Sequence, residues 1–148
     1  MRLTSFTDYS LRVLIHVASA PEGRSTIAEA ARALDVSEHH LVKVAHALGK
    51  IGVLLNARGR GGGLRLAGPP SSISLARVVR STESTRVVEC FDGPRNTCAL
   101  VGNCRLETVL HEAVDAFHGV LARYTLQDLI VRARPAEPSP AWPIRIAG

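Results

Sequence analysis

The sequence predicts a mainly α-helical protein with a small β-hairpin, arranged as a winged helix-turn-helix domain followed by a long dimerisation helix. Two short helical patterns are joined by about three residues and followed by a basic, glycine-rich segment. Farther along, nine apolar residues recur at helical spacing. Aromatic residues make up only 4% of the 148 residues, so aliphatic side chains must fill the core. This composition favours packed helices over a large sheet.

The first three helices are predicted from capping residues and apolar periodicity. Thr7 is expected to cap a first helix that runs to about Ala20. Thr26 and Glu29 have the spacing of a capping box and predict the start of a second helix. Ser37 is placed to cap a third helix. Two short helices with a tight connection, followed by a basic stretch, are the sequence form of a helix-turn-helix.

The next segment predicts a β-hairpin that would serve as a wing. Short apolar runs at 52–55 and 64–66 flank residues 56–63, which are rich in glycine and arginine. Glycines let the backbone approach a surface closely, and Arg58 and Arg60 would reach phosphates or a narrow minor groove. A nucleotide phosphate loop is excluded, because its lysine motif is missing and no helical pattern follows the glycines.

Positive charge is concentrated in the first half of the chain. Residues 1–67 contain nine Lys and Arg against five Asp and Glu, whereas residues 68–148 contain nine against eight. Charge alone fits a solvated basic face as well as a nucleic-acid surface. The predicted third helix adds donors that could meet base edges in a major groove. These candidate DNA-binding residues are Ser37, His39, His40 and Lys43, together with the wing residues Arg58 and Arg60.

The chain has three cysteines, and all lie inside a stretch of 15 residues that is predicted to be a loop. They are Cys90, Cys98 and Cys104. An odd number of cysteines argues against a disulfide framework. Their spacing suits neither a zinc knuckle nor the common ferredoxins, yet such a loop could wrap three thiolates around an iron–sulfur cluster. Three unrelated thiols are the alternative. A four-iron cluster would need one further ligand, and the residues leave five candidates open. They are Asp8, Glu89, Asp92, Glu107 and His111.

The second half of the chain predicts three more helices. Ser74 is expected to cap a short helix that ends near Thr82, and Thr125 and Asp128 form another capping box. Between them the apolar stripe of residues 106–124 predicts a helix that packs against a second subunit rather than against its own core. We expect four regions. They are a winged helix-turn-helix domain (1–68), a connecting helix and cysteine loop (69–105), a dimerisation and closing helix (106–134) and a flexible, proline-rich tail (135–148).

Two function classes are disfavoured by the sequence. The longest apolar stretch, near residues 13–20, is far shorter than the roughly 20 residues that span a bilayer. The first residues enter a helical pattern without a signal peptide, so we expect a cytoplasmic protein. No nucleophile–base pair or carboxylate dyad has a convincing spacing, and we therefore predict no enzymatic activity.

Several separate motifs resemble the NsrR family of nitric-oxide-sensing repressors, which are iron–sulfur regulators of the IscR/NsrR type. The likeness extends over roughly residues 1–133. The motifs that carry it are residues 1–9, 40–44, 58–63, 89–92 and 124–129. IscR-type relatives usually carry a histidine three residues after the last cysteine, where this chain has Glu107. That difference favours the NsrR branch.

The resemblance implies a homodimer that binds a palindromic operator upstream of nitric-oxide-detoxifying genes. It also implies a [4Fe–4S] cluster on Cys90, Cys98 and Cys104, with Asp8 of the other subunit as the fourth ligand and nitric oxide as the signal that releases DNA. The gap between Cys90 and Cys98 is longer than in some relatives. A [2Fe–2S] cluster in a redox- or iron-responsive regulator of the IscR type, and a cluster or redox carrier that binds no DNA, are the alternatives.

Overall fold

A computed structural model describes residues 2–57, 59, 62–84, 86–100 and 104–130. It has six α-helices and three short strands in these residues, with 3-10 turns at Pro21–Gly23, Pro70–Ser72, Glu89–Phe91 and Gly93–Arg95. The helices are α1 (Ser5–Ser19), α2 (Ile27–Leu34), α3 (Glu38–Lys50), α4 (Leu75–Thr82), α5 (Arg105–Ala122) and α6 (Leu126–Ile130). The strands are β1 (Arg24–Ser25), β2 (Leu54–Ala57) and β3 (Gly63–Leu66). The predicted tail, 135–148, lies outside the described residues.

Helix α1 begins earlier than its sequence pattern predicts. Thr4 has an extended backbone, and its side-chain oxygen accepts a hydrogen bond from the backbone N–H of Thr7 at 3.3 Å. Thr7 itself lies inside the helix and is fully buried. The prediction that Thr7 caps this helix is therefore wrong, because the residue with the non-helical backbone and the free side-chain acceptor lies three positions earlier.

The helix-turn-helix is confirmed at the level of its caps. The backbone N–H of Thr26 donates to Glu29 at 2.7 Å, and that of Glu29 donates to the Thr26 hydroxyl at 3.2 Å. Asp35 ends α2 with a left-handed backbone, φ 53°. Ser37 then caps α3. These local bonds satisfy N–H groups that a helix start leaves unpaired, which is why the sequence alone located both helices.

The predicted hairpin is present, but it belongs to a three-stranded antiparallel sheet with the order β1-β3-β2. In the hairpin Leu54 pairs with Leu66 and Ala57 with Gly63, while Ser25 of β1 pairs with Leu64 on the other side of β3. Sequence analysis missed β1 because a two-residue strand is too short to show alternation. Its pairing places the wing directly beside the end of α1.

Helix α1 crosses the centre of the core and contacts α2, α3, α4, α6 and the sheet. The side chains that share this core are aliphatic, as the low aromatic content predicts. The largest fully buried ones are Leu14, Leu41, Leu48, Leu54, Leu126, Val13, Val17, Val44, Val53, Val78 and Val79. Because α1 contacts both the helix-turn-helix and α4, a shift of α1 would be felt on both sides of the molecule.

The last helices fold back onto the start of α4. The N–H of Leu126 donates to Ile73 at 2.9 Å, and the N–H of Leu75 donates to Tyr124 at 3.1 Å. Ser74 occupies the predicted N-cap position of α4, although its side chain makes no capping bond. In the described part of the chain, no helix combines the length and apolar character needed to cross a membrane.

Candidate nucleic-acid interface and cysteine loop

The first two turns of α3 present the predicted DNA-binding side chains at the surface. Ser37, His39, His40 and Lys43 are all exposed. The Ser37 hydroxyl lies 2.9 Å from Nδ1 of His40 and also accepts a bond from the His40 backbone N–H. Ser37 therefore fixes the start of the helix and the position of the His40 ring, in addition to any contact it makes itself.

Two further exposed residues of α3 lie on the same helical face and were missed by sequence analysis. Val42 is 54% exposed, and His46 is exposed one turn later. Relative to His39 they are at positions i+3 and i+7, a spacing that keeps side chains on one face. This spacing was the available signal. A surface valine offers the apolar contact that a thymine methyl group accepts in a major groove.

The wing is tied to the rest of the winged helix by side-chain hydrogen bonds. Asn56 of β2 donates to a backbone carbonyl of α3 at 3.0 Å. Arg24 of β1 donates to the carbonyl of Gly62 at 3.3 Å. The wing base therefore keeps a fixed position relative to α3. The two arginines predicted to anchor the wing, Arg58 and Arg60, lie outside the described residues.

Asp8 lies on the exposed side of α1 and is connected to the helix-turn-helix through Arg12. Its carboxylate is 3.5 Å from one guanidinium nitrogen of Arg12, and the other guanidinium nitrogen donates to the carbonyl of Leu34 at 2.8 Å. Leu34 is the last residue of α2. The neighbouring Tyr9 contacts His40 of α3, with ring centroids 6.3 Å apart. One turn of α1 thus contacts both helices of the motif.

The three cysteines lie in the segment that leads into α5. Cys90 lies in a 3-10 turn, and Cys104 occupies the N-cap position of α5. Between them, the backbone N–H of Cys98 donates to the side chain of Asn96 at 3.0 Å. All three thiols are half-buried and free of disulfide bonds. They are shielded from bulk solvent, yet they remain accessible to a ligand.

The surroundings of Cys90 disfavour its thiolate form. Burial raises the pKa of Cys90, and the charges of Glu107, Cys98 and Cys104 raise it further. In the described residues, no three His, Cys, Asp or Glu are arranged to hold a single metal ion. Three cysteine thiolates are the donors that iron–sulfur clusters take, so the donor set fits such a cluster, and bound iron would stabilise the thiolate forms.

Three of the five candidates for a further ligand make contacts within this part of the chain. Glu89 accepts hydrogen bonds from the backbone and hydroxyl of Thr97, which lower its pKa. Asp92 lies 3.1 Å from an arginine of the preceding segment. His111 stacks on Phe91 with ring centroids 3.9 Å apart. These side chains hold the shape of the loop.

The apolar stripe of α5 divides into two flanks. One flank, which includes Leu110, Val114 and Leu121, is half-buried, and α5 packs on α4. The other flank is exposed in the single chain, with Leu106 at 60%, Val109 at 51% and Val120 at 45%. The single chain therefore covers only one flank of the stripe.

The comparison with protein families decides which group of proteins shares this arrangement. The family model described as "Rrf2: Iron-dependent Transcriptional regulator" matches residues 3–132. The chain belongs to the Rrf2 family. This Rrf2 protein is 46% identical to the HTH-type transcriptional regulator NsrR of Shouchella clausii over 133 residues, which cover 88% of the chain and 89% of the relative. The NsrR of Bacillus subtilis is also 46% identical, covering 88% and 90%.

Solved structures share the fold of this Rrf2 protein. The cysteine regulator CymR of B. subtilis superposes with a TM-score of 0.70 at 24% identity, covering 90% of this chain and 99% of its own. The IscR of T. potens gives a TM-score of 0.73 at 21% identity and covers 94% and 93%. The predicted winged-helix fold is thus confirmed. The curated relatives are named transcriptional regulators and not enzymes, so the chain is a transcriptional regulator of the Rrf2 type.

Proposed function

We propose that this regulator is a DNA-binding repressor that senses nitric oxide through an iron–sulfur cluster. The observation that carries the proposal is the grouping of Cys90, Cys98 and Cys104 as half-buried, disulfide-free cysteines in the one segment that leads into α5. The chain that contains them is 46% identical to regulators named NsrR. Three thiols on one loop are a metal-binding arrangement more than a packing one, because buried structural cysteines need no such proximity.

In this proposal Cys90, Cys98 and Cys104 hold a [4Fe–4S] cluster, and Asp8 of the partner subunit supplies the fourth ligand. When bound, the cluster supplies iron that reacts with nitric oxide. Glu107 is the competing fourth ligand, since its charge raises the pKa of Cys90 within one chain. The two candidates have different consequences for DNA binding, because Asp8 lies on α1 of the winged-helix domain whereas Glu107 lies on α5.

The winged helix supplies the DNA contact. Its exposed α3 residues Ser37, His39, His40 and Lys43 would enter a major groove, and Arg58 and Arg60 of the wing would reach the backbone or the minor groove. The half of the chain that contains these residues also has the excess of positive charge. Contacts to phosphates position the domain, and contacts to base edges give sequence preference.

The exposed flank of α5 supports a homodimer as part of this proposal. Leu106, Val109 and Val120 line up along 18 residues of helix, and a second copy of the same helix would cover them with like residues. Two winged-helix domains joined in this way would bind a palindromic operator in successive major grooves. The four-region division of the chain, with α5 as the dimerisation element, is part of this proposal.

The residues around Asp8 suggest how operator binding is controlled. If the cluster of the partner subunit binds Asp8, it also fixes the position of α1. Arg12 contacts both Asp8 and the carbonyl of the last residue of α2, so the position of α2 depends on the same contact. Release of Asp8 would allow α1 and α2 to move from the positions in which the two winged-helix domains fit the operator. Moving a two-state equilibrium from 99:1 to 1:99 takes about 5.5 kcal/mol of differential affinity. In this proposal the difference comes from loss of register at both half-sites together.

The first experiment combines iron and sulfide analysis with DNA binding under anaerobic conditions. Operator DNA is selected from a random library by the iron-loaded protein, and binding is measured before and after titration with nitric oxide. About four irons per chain and loss of binding on titration support the proposal. Two irons would favour a redox- or iron-responsive regulator of the IscR type. Absence of selective DNA binding would instead indicate a cluster carrier.

Three single variants assign the ligands. Cys98→Ala should abolish iron-dependent operator binding while leaving a folded dimer by circular dichroism and sedimentation. Asp8→Ala should retain iron but lose the dependence of DNA affinity on iron, whereas Glu107→Ala should leave that dependence intact. If Cys98→Ala represses and responds as the unaltered protein does, the sensing proposal is wrong. If Glu107→Ala alone loses the dependence, Asp8 is not the ligand.

A further inference from the structure

The N-cap residue of helix α1 is held by the carboxylate of the residue that ends α4. Oε2 of Glu83 accepts two hydrogen bonds from Thr4, one from its backbone N–H at 2.8 Å and one from its hydroxyl at 3.0 Å. Thr4 is the N-cap of α1, and Glu83 is the C-cap of α4. A single side chain therefore joins the end of α4 to the start of the helix that contains Asp8.

The charge of Glu83 suits this position. Burial raises the pKa of Glu83, but hydrogen bonds from Thr4 and Thr7 outweigh that effect and leave its pKa below the ordinary glutamate value. The side chain is therefore ionised at neutral pH. A negative charge at the N-terminus of a helix interacts favourably with the unpaired N–H groups and with the helix dipole. The contact is a charge-assisted one, which is stronger than a bond between neutral groups.

A series of hydrogen bonds continues from Glu83 toward the cysteine loop. Its other oxygen accepts from the backbone N–H of Ser84 at 3.3 Å, and the Ser84 hydroxyl accepts from the backbone N–H of Arg86 at 3.3 Å. The Arg86 guanidinium then donates to Asp92 at 3.1 Å. Asp92 is two residues after Cys90. A rearrangement of the loop around Cys90 would thus disturb bonds that lead back to Glu83.

The other end of the series reaches Asp8. The backbone N–H of Asp8 donates to the carbonyl of Thr4 at 3.0 Å, which is the first turn of α1. Glu83 and Asp8 therefore act on the same turn, from its start and from its exposed side. The contact that Asp8 makes with the partner subunit is part of the proposed function, whereas the contact through Glu83 lies entirely within one subunit.

We propose that Glu83 is a positioning residue that couples the cysteine loop to α1 of its own subunit through Thr4. The inference rests on the proposed function, since it describes how the cysteine loop controls the position of α1 in the winged-helix domain. With the loop ordered, the series Asp92–Arg86–Ser84–Glu83 holds Thr4 and orients α1. When the loop rearranges, the series of hydrogen bonds to Glu83 is broken. Helix α1 then loses the contact through Glu83 and keeps the contact that Asp8 makes with the partner subunit.

The competing explanation is that Glu83 only stabilises the fold. A structural contact would change the free energy of unfolding and would weaken DNA binding equally with and without iron. A coupling residue changes the ratio of the two DNA affinities. Residues that modulate coupling between sites typically alter it by about 2-fold to 30-fold, so the effect is measurable in a binding assay.

The experiment measures operator affinity of the full-length protein in the iron-loaded and iron-free states. It compares the unaltered protein with Glu83→Ala, Glu83→Gln and, as a matched control, Glu112→Ala, which removes an exposed glutamate from α5. Iron content and thermal unfolding are recorded for each. We expect Glu83→Ala to bind iron normally and to reduce the affinity ratio by about tenfold. Glu83→Gln keeps an acceptor oxygen and should retain part of the ratio, while Glu112→Ala retains all of it.

The outcomes separate this inference from the proposed function. If the unaltered protein binds the operator equally with and without iron, the proposed function fails. If the unaltered protein shows a large ratio that Glu83→Ala and Glu83→Gln leave unchanged, the sensing proposal stands and the coupling role of Glu83 is overturned. Should Glu83→Ala unfold, Glu83→Gln decides the question, because a ratio equal to that of the unaltered protein contradicts the inference.

Discussion

Gly63 shows how a single residue sets the geometry of the wing. Its φ of +139° is one that residues with a side chain rarely adopt, and a Cβ atom there would lie 2.8 Å from the carbonyl oxygen of Ser25. The neighbour is backbone, so it cannot rotate away. The glycine at this position therefore allows β1 to pair with β3, and the glycine-rich segment has a structural role at its base as well as a suggested role at the DNA surface.

Gly63→Ala should destabilise the protein by about 1–3 kcal/mol, because it adds a clash to an unfavourable backbone conformation. Thermal unfolding measures the loss. The matched control is Gly23→Ala, where φ is +62° but no atom lies within 4 Å of the added Cβ. The control isolates the conformational cost. Equal losses in the two variants would show that the sheet adapts to the extra carbon.

His118 is the buried polar residue of α5 and predicts a pH dependence. Its side chain is 4% exposed, and Nδ1 has no hydrogen-bond partner among the described residues. Burial lowers the pKa of His118, Arg80 of α4 lowers it further, and Asp115 on the same helix raises it. The folded protein therefore holds His118 neutral under conditions in which the unfolded chain binds a proton.

The free energy of unfolding should decrease as pH falls below the ordinary histidine value of 6.5, because the unfolded chain gains the proton first. One proton gives a slope of at most about 1.4 kcal/mol per pH unit. His118→Phe should flatten this part of a urea-unfolding series, whereas His39→Gln, at an exposed position, should not. A slope that survives in His118→Phe would assign the dependence to other groups.

At the scale of elements, α5 packs on one neighbour and leaves part of its apolar stripe uncovered. Its half-buried flank packs on α4, while Leu106, Val109 and Val120 stay exposed. The amphipathic pattern predicted one apolar face, and the structure shows that a single subunit covers only part of it. Exposed aliphatic residues along a helix favour pairing with a second copy, since burying the exposed half of such a side chain contributes about 1 kcal/mol.

Val109→Asp should therefore convert the dimer to a monomer, with a dimerisation constant weakened at least about 10-fold by charge placed in an apolar interface. Sedimentation at several protein concentrations measures it. Thr108→Asp adds the same charge one residue away, on another side of α5 and also exposed, and should leave the dimer intact. If Val109→Asp sediments as the unaltered protein does, α5 is not the dimerisation surface.

At the scale of the whole molecule, positive charge is concentrated in one half of the chain. The excess of basic residues lies in residues 1–67, and the rest of the chain is close to neutral. Such a division concentrates the positive potential on the winged helix, where it attracts a polyanion. Binding to DNA should consequently depend steeply on salt, since each neutralised phosphate releases counterions.

Lys43→Ala should weaken binding to specific and non-specific DNA alike and reduce the slope of log K against log salt by about 1, which is expected for one lost phosphate contact. Titrations at several salt concentrations test this. Lys50→Ala removes a lysine of equal charge from the last turn of the same helix and should leave the slope unchanged. A loss confined to specific DNA would instead make Lys43 a reader of bases.

The sequence by itself determined the features that depend on near neighbours along the chain. The caps Thr26 and Ser37, the hairpin and the long helix α5 are set by residues within a few positions of one another, so their patterns are visible without a fold. The grouping of the cysteines was visible for the same reason. The family resemblance added the expected cluster type, the expected ligand from the partner subunit and the expected signal, none of which the spacing alone could supply.

Only the tertiary structure decided the contacts between distant segments. Thr4 replaces Thr7 as the cap of α1 and binds Glu83, which is 79 residues away, and no local pattern encodes that distance. The pairing of β1 with β3, the burial of His118 and the division of the α5 stripe also depend on packing. Local propensity fixes which residues become helical, but the surfaces that meet are chosen by burial of the whole chain.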